Sequence, residues 1–247
     1  MLRIVCWKWK KNNFFKGTAD YGVEHVHKLQ RMIDRNITIP YEFVCITDDP
    51  TGLDGSIRVV PLWDDLFEYG YCFVRLKAFS EEMADIIGPR FVSIDLDCLI
   101  VDDITPLLDN NNDFMMWESG NAPAPYCGSM WMMDAGSRKY VWEWFDPKDL
   151  IEVEHKTHGK RLTNKLAYDA GYTCGSDQAW ISYLLYPNEK TWTHRDGIWN
   201  FRKHFYGKFR SIERRLKKSR IIFFTGKFDP SYEEYYDKYP WIKKYWK

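Results

Sequence analysis

The stretch Phe91–Val101, "FVSIDLDCLIV", decides how this chain is read. Two carboxylates, Asp95 and Asp97, stand one residue apart in an otherwise apolar run. A buried strand cannot carry two charges at its middle without large cost, so the strand must end at them. Alternation along an extended chain sends Asp95 and Asp97 to one side and Leu96 to the other. Ligands of open α/β sheets bind beyond the carboxyl ends of the strands. The pair is therefore expected at the rim of a sheet, where a cleft should lie.

The segments before it support such a sheet. "LRIVCW" (2–7), "EFVCIT" (42–47), "IRVVPL" (57–62) and "FVSIDL" (91–96) are short apolar runs that read as buried strands. Between the first two, "YGVEHVHKLQRMIDRN" places Val23, Val26, Leu29 and Ile33 on one stripe and reads as an amphipathic helix. "VRLKAFSEEMADIIG" reads as a second helix with Leu76, Phe79, Met83 and Ile86 or Ile87 inward, ended by Gly88-Pro89. "DDPTGLDG" (48–55) is turn-forming. Alternating strands and helices imply a mostly parallel, Rossmann-like sheet. After Asp97 the rhythm changes. "DFMMW" and "GSMWMMD" read as strands joined by loops, "SRKYVWEWF" and "SDQAWISYLLY" as helices, and "RIIFF" as a last strand. The fold class is thus α/β with an α+β second half. No linker interrupts 1–247, so a single domain is expected: a first half, 1–101, a second half, 102–230, and an aromatic tail, 231–247, that packs back on it.

Composition agrees. The chain has 247 residues, 45% hydrophobic and 17% aromatic, enough for a sizeable core. Zero net charge gives no global pull toward nucleic acid or anionic membranes. The charge is unevenly placed, however. Residues 91–137 hold eight Asp or Glu and no Lys or Arg, whereas 202–220 hold nine Lys or Arg against one Glu. Six scattered cysteines form no CxxC pair, which argues against a zinc ribbon and for reduced core thiols at Cys6, Cys45, Cys98 and Cys127. The apolar run at the start is too short for a signal peptide or membrane span, so no transmembrane segment and a cytoplasmic location are expected.

Two carboxylates facing the same way repel unless a positive group lies between them. Hard oxygen ligands suit Mg2+ or Mn2+, which also bridge substrate phosphates. The plainer alternative is a loop pair that caps a helix or meets an arginine. Asp102 and Asp103, ahead of "ITPLL", read as a helix cap and a solvated turn residue. In "CGSDQAW", Gly175 permits a turn and Ser176 can cap the helix, placing Asp177 and Gln178 in its first turn. They read as a helix start, or as a carboxylate and amide offered to sugar hydroxyls.

Taken together, "FVSIDLDCLIVDDITPLL", "YCGSMWMMDAG", "GSDQAWI" and "IIFFTGKFDP" resemble the GT-A glycosyltransferases related to glycogenin and to bacterial lipopolysaccharide galactosyltransferases. "YGVEHVHKL", "FVCITDDPTGL" and "IDLDCLIV" are similar to the corresponding motifs of bacterial and phage glycosyltransferases. The likeness spans roughly residues 2 to 230. It implies a GT-A fold, a nucleotide-sugar donor, usually UDP-linked, and Mn2+ or Mg2+. Carried onto this chain, it implies Asp97 as the principal metal ligand, with Asp95 touching the metal or the donor's ribose. It places the end of the first strand (Trp7), Tyr21 and Asp48 near the nucleoside, and Arg75 or Lys77 at the diphosphate or sugar. Asp177 and Gln178 would be the catalytic pair facing the donor sugar, and Lys227 would neutralise the departing diphosphate. The chain departs from the pattern at Thr225, where the family carries a metal-binding His, at Asp229, where it carries Lys, and at Cys127-Gly128-Ser129, where it often has Asn.

Other features carry less. His25 and His27 lie two apart on a helix and do not share a face. "EVEHKTHGKR", with Glu152, Glu154, His155 and His158, reads as a mobile solvated loop over the cleft. The basic segment 202–220 reads as a solvated helix face or as the contact for an anionic acceptor: a glycan, a lipopolysaccharide-type or teichoic-type polymer, DNA or a membrane surface. Two other classes compete with an enzyme of sugar transfer. One is a catalytically inactive module of the same fold that binds an anionic polymer through 202–220. The other is a nucleotidyltransferase, which lacks here the Gly-rich phosphate loop expected near "LRIVCW".

Overall fold

A computed structural model describes residues 1–10, 21–69, 71–120, 123–155, 159–174 and 176–247. Strand β1 (Leu2–Lys8) is central and buried on both faces, with Ile4 and Cys6 in one core and Val5 and Trp7 in the other. That explains its unbroken apolar sequence. β2 (Tyr41–Thr47) and β4 (Arg90–Ile94) pair with β1 in parallel, and β3 (Arg58–Pro61) extends the block beside β2. The carboxyl ends of all four therefore share one edge. Beyond Asp97 come β5 (Cys98–Ile100), β6 (Phe114–Glu118), β7 (Tyr126–Asp134), β8 (Leu150–His155), β9 (Gly159–Asn164), β10 (Lys190–Trp192), β11 (Ile198–Asn200) and β12 (Ile221–Phe223). The main sheet has seven strands in the order β10-β6-β7-β4-β1-β2-β3, and only β7 runs against the others. A small sheet, β11-β12-β5, joins the segment after the carboxylate pair to the late part of the chain.

The helix Val23–Arg35 forms as its periodicity requires, burying Val26, Leu29, Met32 and Ile33 against the β1 face. The expected second helix does not form as one piece. Residues Tyr71–Phe79 form a 3-10 helix, and a single α-turn follows at Met83–Ile86. Leu76, Phe79, Met83 and Ile87 are buried as expected, but so are Phe73, Val74 and Ala78. A segment buried nearly all round follows its tertiary contacts rather than an amphipathic stripe. "SRKYVWEWF" similarly contributes only the turn Tyr140–Glu143, whereas "SDQAWISYLLY" gives the helix Asp177–Leu185.

The reading of "EVEHKTHGKR" as a loop is corrected. β8 and β9 form an antiparallel hairpin, registered from Leu150 opposite Asn164 to His155 opposite Gly159, with Lys160 on Glu152 at 2.6 Å. Ladder hydrogen bonds offset the polar composition that suggested a loop. His158 and Gly175 lie outside the described residues. The aromatic tail packs back as expected: Tyr235, Tyr239, Ile242 and Trp246 join the core, and the Tyr239 hydroxyl accepts from the Gly207 amide at 2.7 Å. Cys6, Cys45, Cys98 and Cys127 are buried free thiols. Among the described residues no helix is long and apolar enough to cross a membrane.

Candidate active site

β4 ends at Ile94, and the carboxylates follow at the rim. The Asp95 amide continues the pairing with the next strand by donating to Ser129 O at 2.9 Å. Two residues on, Asp97 O accepts from the Phe224 amide at 2.7 Å, because β5 pairs with β12 from Cys98 opposite Phe223. Backbone pairing thus gathers three distant segments, 95–97, 127–129 and 224–229, at one end of the parallel strands.

Arg75 occupies the centre and is only 4% exposed. Its Nε and Nη2 donate to Asp177 Oδ2 at 3.1 and 2.9 Å, and its Nη1 donates to Asp95 Oδ1 at 2.7 Å and to Gly128 O at 3.2 Å. Burial alone would lower the guanidinium pKa, but the Asp177 and Asp95 carboxylates outweigh it and raise it well above the usual value. Burial pushes the Asp177 carboxyl up against the opposing pull of Arg75. Gly128 is what lets the guanidinium in: a Cβ there would lie 2.7 Å from Arg75 Nη2 and 3.4 Å from Asp177 Oδ2.

Asp177 is delivered by its helix start. The Ser176 side chain caps the helix by accepting from the Gln178 amide at 3.2 Å, the role expected of it. Ser176 takes φ 143° and ψ 179°, a conformation close to glycine-only and worth about 1–3 kcal/mol of strain. Such strain persists where surrounding contacts over-determine the backbone, here through the Arg75–Asp177 pair one residue on. Asp177 Oδ1 is buried without a hydrogen-bond partner among the described residues.

Asp97 sits deeper than Asp95, at 6% exposure. Burial, then the charges of Asp95 and Asp229, push its carboxyl well above the ordinary range, and its Oδ1 is buried without a partner among the described residues. The Tyr21 phenol has a hydrogen-bonding interaction with Asp97 and is itself pushed up, by burial first and then by Asp97, Asp95 and Asp229. Asp229 is fully buried. Burial opposes its ionisation, but His25 Nε2 at 3.4 Å and the Ser231 amide at 2.7 Å hold its pKa below the usual value. His25 in turn packs edge-on between Tyr21 and Trp246, with centroids 5.3 and 5.4 Å away.

Among the described residues no three His, Cys, Asp or Glu side chains are gathered so as to hold a metal by themselves. What is present is a pair of carboxylates, one of them buried with an unmet oxygen. That donor set fits Mg2+ or Mn2+ shared with phosphate oxygens and water, not an all-protein cage. Thr225 is brought beside Asp97 by the β5–β12 pairing, but its hydroxyl accepts from Asn200 Nδ2 at 2.8 Å.

The remaining residues singled out from the sequence divide. Gln178 is half-buried at the helix start beside Asp177, and Lys227 is exposed two residues beyond Thr225. Lys77 is drawn away from Arg75 and held by Asp65 at 2.6 Å and Glu82 at 3.4 Å. Trp7 is core, its indole donating to Ser93 Oγ at 2.8 Å. Asp48 is exposed at the β2 end and accepts from the Lys10 amide at 3.2 Å. Asp103 accepts from the Thr105 amide at 2.8 Å in the turn before the helix Thr105–Leu108, but the N-cap position is Ile104, so neither Asp102 nor Asp103 is the expected cap. Sequence reasoning missed the His25–Asp229 pair, whose members lie 204 residues apart, and the part played by Gly128. The departure at Asp229 from the family's Lys was the one available signal for the first.

No protein-family model matches the sequence, and no curated protein matches it. Solved structures do match the fold. The galactosyltransferase LgtC, solved in complex with donor and acceptor sugar analogues, aligns over 98% of this chain and 95% of its own at a TM-score of 0.57 and 12% identity. The glycosyltransferase GlyE of Streptococcus pneumoniae aligns over 94% of this chain and 57% of its own, at 0.54 and 10%. WbbM, a bifunctional glycosyltransferase, aligns over 98% and 50%, at 0.52 and 13%. The chain has the GT-A-type fold that these proteins share.

Proposed function

We propose that this protein is a metal-dependent glycosyltransferase that moves a sugar from a nucleotide-sugar donor, a UDP-sugar by preference, to an acceptor hydroxyl. The observation that carries the reading is the Arg75-centred cluster. It holds Asp95 and Asp177 in fixed places beside Asp97 at the ligand edge of a glycosyltransferase fold. In the reaction the bond from the sugar's anomeric carbon to the diphosphate breaks and one to the acceptor oxygen forms. Mg2+ or Mn2+ bound by Asp95 and Asp97 would stabilise charge on the departing diphosphate. Arg75 holds both carboxylates in place. Asp177 Oδ1 lacks a partner among the described residues, a demand that a donor-sugar hydroxyl would meet, with the Gln178 amide beside it. Lys227 offers an exposed cation on the 224–229 segment for the diphosphate.

Calorimetric titration of UDP with and without Mn2+ tests this. UDP should bind only with the metal, and Asp97→Asn should abolish the metal requirement together with the binding. Equal UDP affinity in chelator and in Mn2+ would sink the proposal. Polymer binding with no nucleotide response would instead favour the catalytically inactive module.

A further inference from the structure

The basic segment 202–220 gathers nine Lys or Arg against one Glu. Several arginines elsewhere are engaged with carboxylates, as Arg58 is with Glu42, Arg90 with Asp134 and Arg138 with Asp113 and Glu189. Among the described residues, no Lys or Arg between 202 and 220 forms an ion pair. Some turn to backbone oxygens instead: Lys208 Nζ donates to Lys203 O at 2.6 Å and Arg215 Nη1 to Arg210 O at 3.2 Å. Arg202, Arg210, Arg214, Lys217 and Lys218 are exposed with no side-chain partner among the described residues. One exposed acid, Glu213, stands among them.

Two exposed rings are interleaved with these cations. Tyr206 is 48% exposed and Phe209 58%, and Phe209 lies flat on Tyr239 with centroids 5.6 Å apart and planes at 10°. Tyr239 therefore fixes Phe209 as a platform. Histidine adds no charge here, because burial, against the Asn200 backbone bond, holds the His204 ring down to about 4.

One end of the patch adjoins the candidate site. It begins beside Asn200, whose amide donates to Thr225 Oγ1, and Phe224 is bonded to Asp97 O. Lys203 Nζ reaches across to Gly120 O at 3.1 Å, just beyond β6.

We infer that 202–220 is the acceptor-binding surface and that the acceptor is an acidic glycan, whose phosphate or carboxylate groups meet the unpaired cations while a sugar face rests on Phe209. The inference builds on the transferase reading. A transferred sugar needs a hydroxyl-bearing acceptor beside the donor, and these charges select an acceptor of opposite sign. A membrane surface would call for a continuous apolar stripe, whereas Ile212 and Leu216 are half-buried in the core.

The test measures binding without nucleotide or metal, so that it reads separately from UDP binding. Polygalacturonate oligomers, ribitol-phosphate oligomers, neutral maltooligosaccharides, single-stranded oligodeoxythymidine and phosphatidylglycerol vesicles are titrated at low and physiological salt. At least one acidic glycan should bind about tenfold or more tighter than the neutral one and weaken with salt. The carboxylate and phosphate arms tell which group is recognised. Arg210→Ala/Arg214→Ala/Lys217→Ala should lose about tenfold or more of that affinity, and Phe209→Ala severalfold, whereas Lys148→Ala should lose none. UDP binding with Mn2+ should be unchanged in all three. Melting temperatures within about 2 °C of the parent would show that the variants remain folded. Equal binding of the neutral glycan, equal or tighter binding of the DNA or vesicles, or an unaffected triple variant would overturn the inference. Metal-dependent UDP binding that fails while acidic-glycan binding persists would count against the transferase reading alone.

Discussion

Replacing Arg75 by methionine removes four hydrogen bonds to Asp177, Asp95 and Gly128 and leaves Asp177 buried without its counter-charge. Removing one member of a buried ion pair costs about 3–5 kcal/mol. The folded protein can limit that loss by taking up a proton on Asp177. An ordinary carboxyl titrates about three pH units below neutrality, and at about 1.4 kcal/mol per unit protonation caps the penalty near 4 kcal/mol at pH 7. Asp95 adds little, because its side chain is 26% exposed and can turn to water. The pH dependence carries a definite sign. Burial already raises the Asp177 pKa, and Arg75 is the leading opposing influence. In Arg75→Met the folded pKa therefore rises further above the unfolded one. The folded state then binds the extra proton, and stability falls as pH rises through that window. Urea unfolding at pH 5, 6 and 7 should show the deficit relative to the parent shrinking as pH is lowered, by at most about 1.4 kcal/mol per unit. The double variant Arg75→Met/Asp177→Asn should recover about 2 kcal/mol or more at pH 7. A deficit under about 1 kcal/mol, or one flat across this range, would falsify the picture of Asp177 as a buried charge sustained by Arg75.

Gly128→Ala should displace the Arg75 guanidinium, since the new Cβ would lie 2.7 Å from Nη2. The expected loss is about 1–3 kcal/mol by denaturant unfolding, with donor turnover falling more steeply than stability. Asp97→Asn removes a charge opposed by burial, Asp95 and Asp229. It should raise metal-free stability by about 1 kcal/mol or more while removing any stabilisation by Mn2+, both read as melting temperature. Tyr239→Ala should cost about 3–5 kcal/mol by chemical denaturation, because the ring is 1% exposed and its hydroxyl holds the Gly207 amide.

The parallel half of the sheet was readable because strands buried on both faces leave unbroken apolar runs, as in "RIVCW" and "FVCIT". The helix Val23–Arg35 was readable because only one of its faces is buried. Residues 71–86 were not, since their burial is almost all round and periodicity then carries no information about helix type. The β8–β9 hairpin escaped because "EVEHKTHGKR" straddles its turn, where polar residues cluster and apolar alternation is short. At the site, local patterning placed Asp95 and Asp97 at a strand end and Asp177 in a first helical turn. It could not separate Arg75 from Lys77, two residues apart, because that choice is made by Asp177, 102 residues later in the chain. The Asp229–His25 pair depends on the C-terminal segment returning to the first helix, a contact that local sequence does not encode.

The β5–β12 pairing also bears on when the site comes into being. Cys98 meets Phe223 across the small sheet, so the backbone beside Asp97 lacks its neighbour until residues near the end of the chain are available. Contacts of such sequence separation form late, after the loop-closure entropy between them has been met. During synthesis the first hundred residues can assemble their parallel strands, but Asp97 stays open to solvent and without Asp229 beside it. The carboxylate rim is therefore completed last, when residues 221–229 join the small sheet and bring the charge of Asp229 to bear on Asp97.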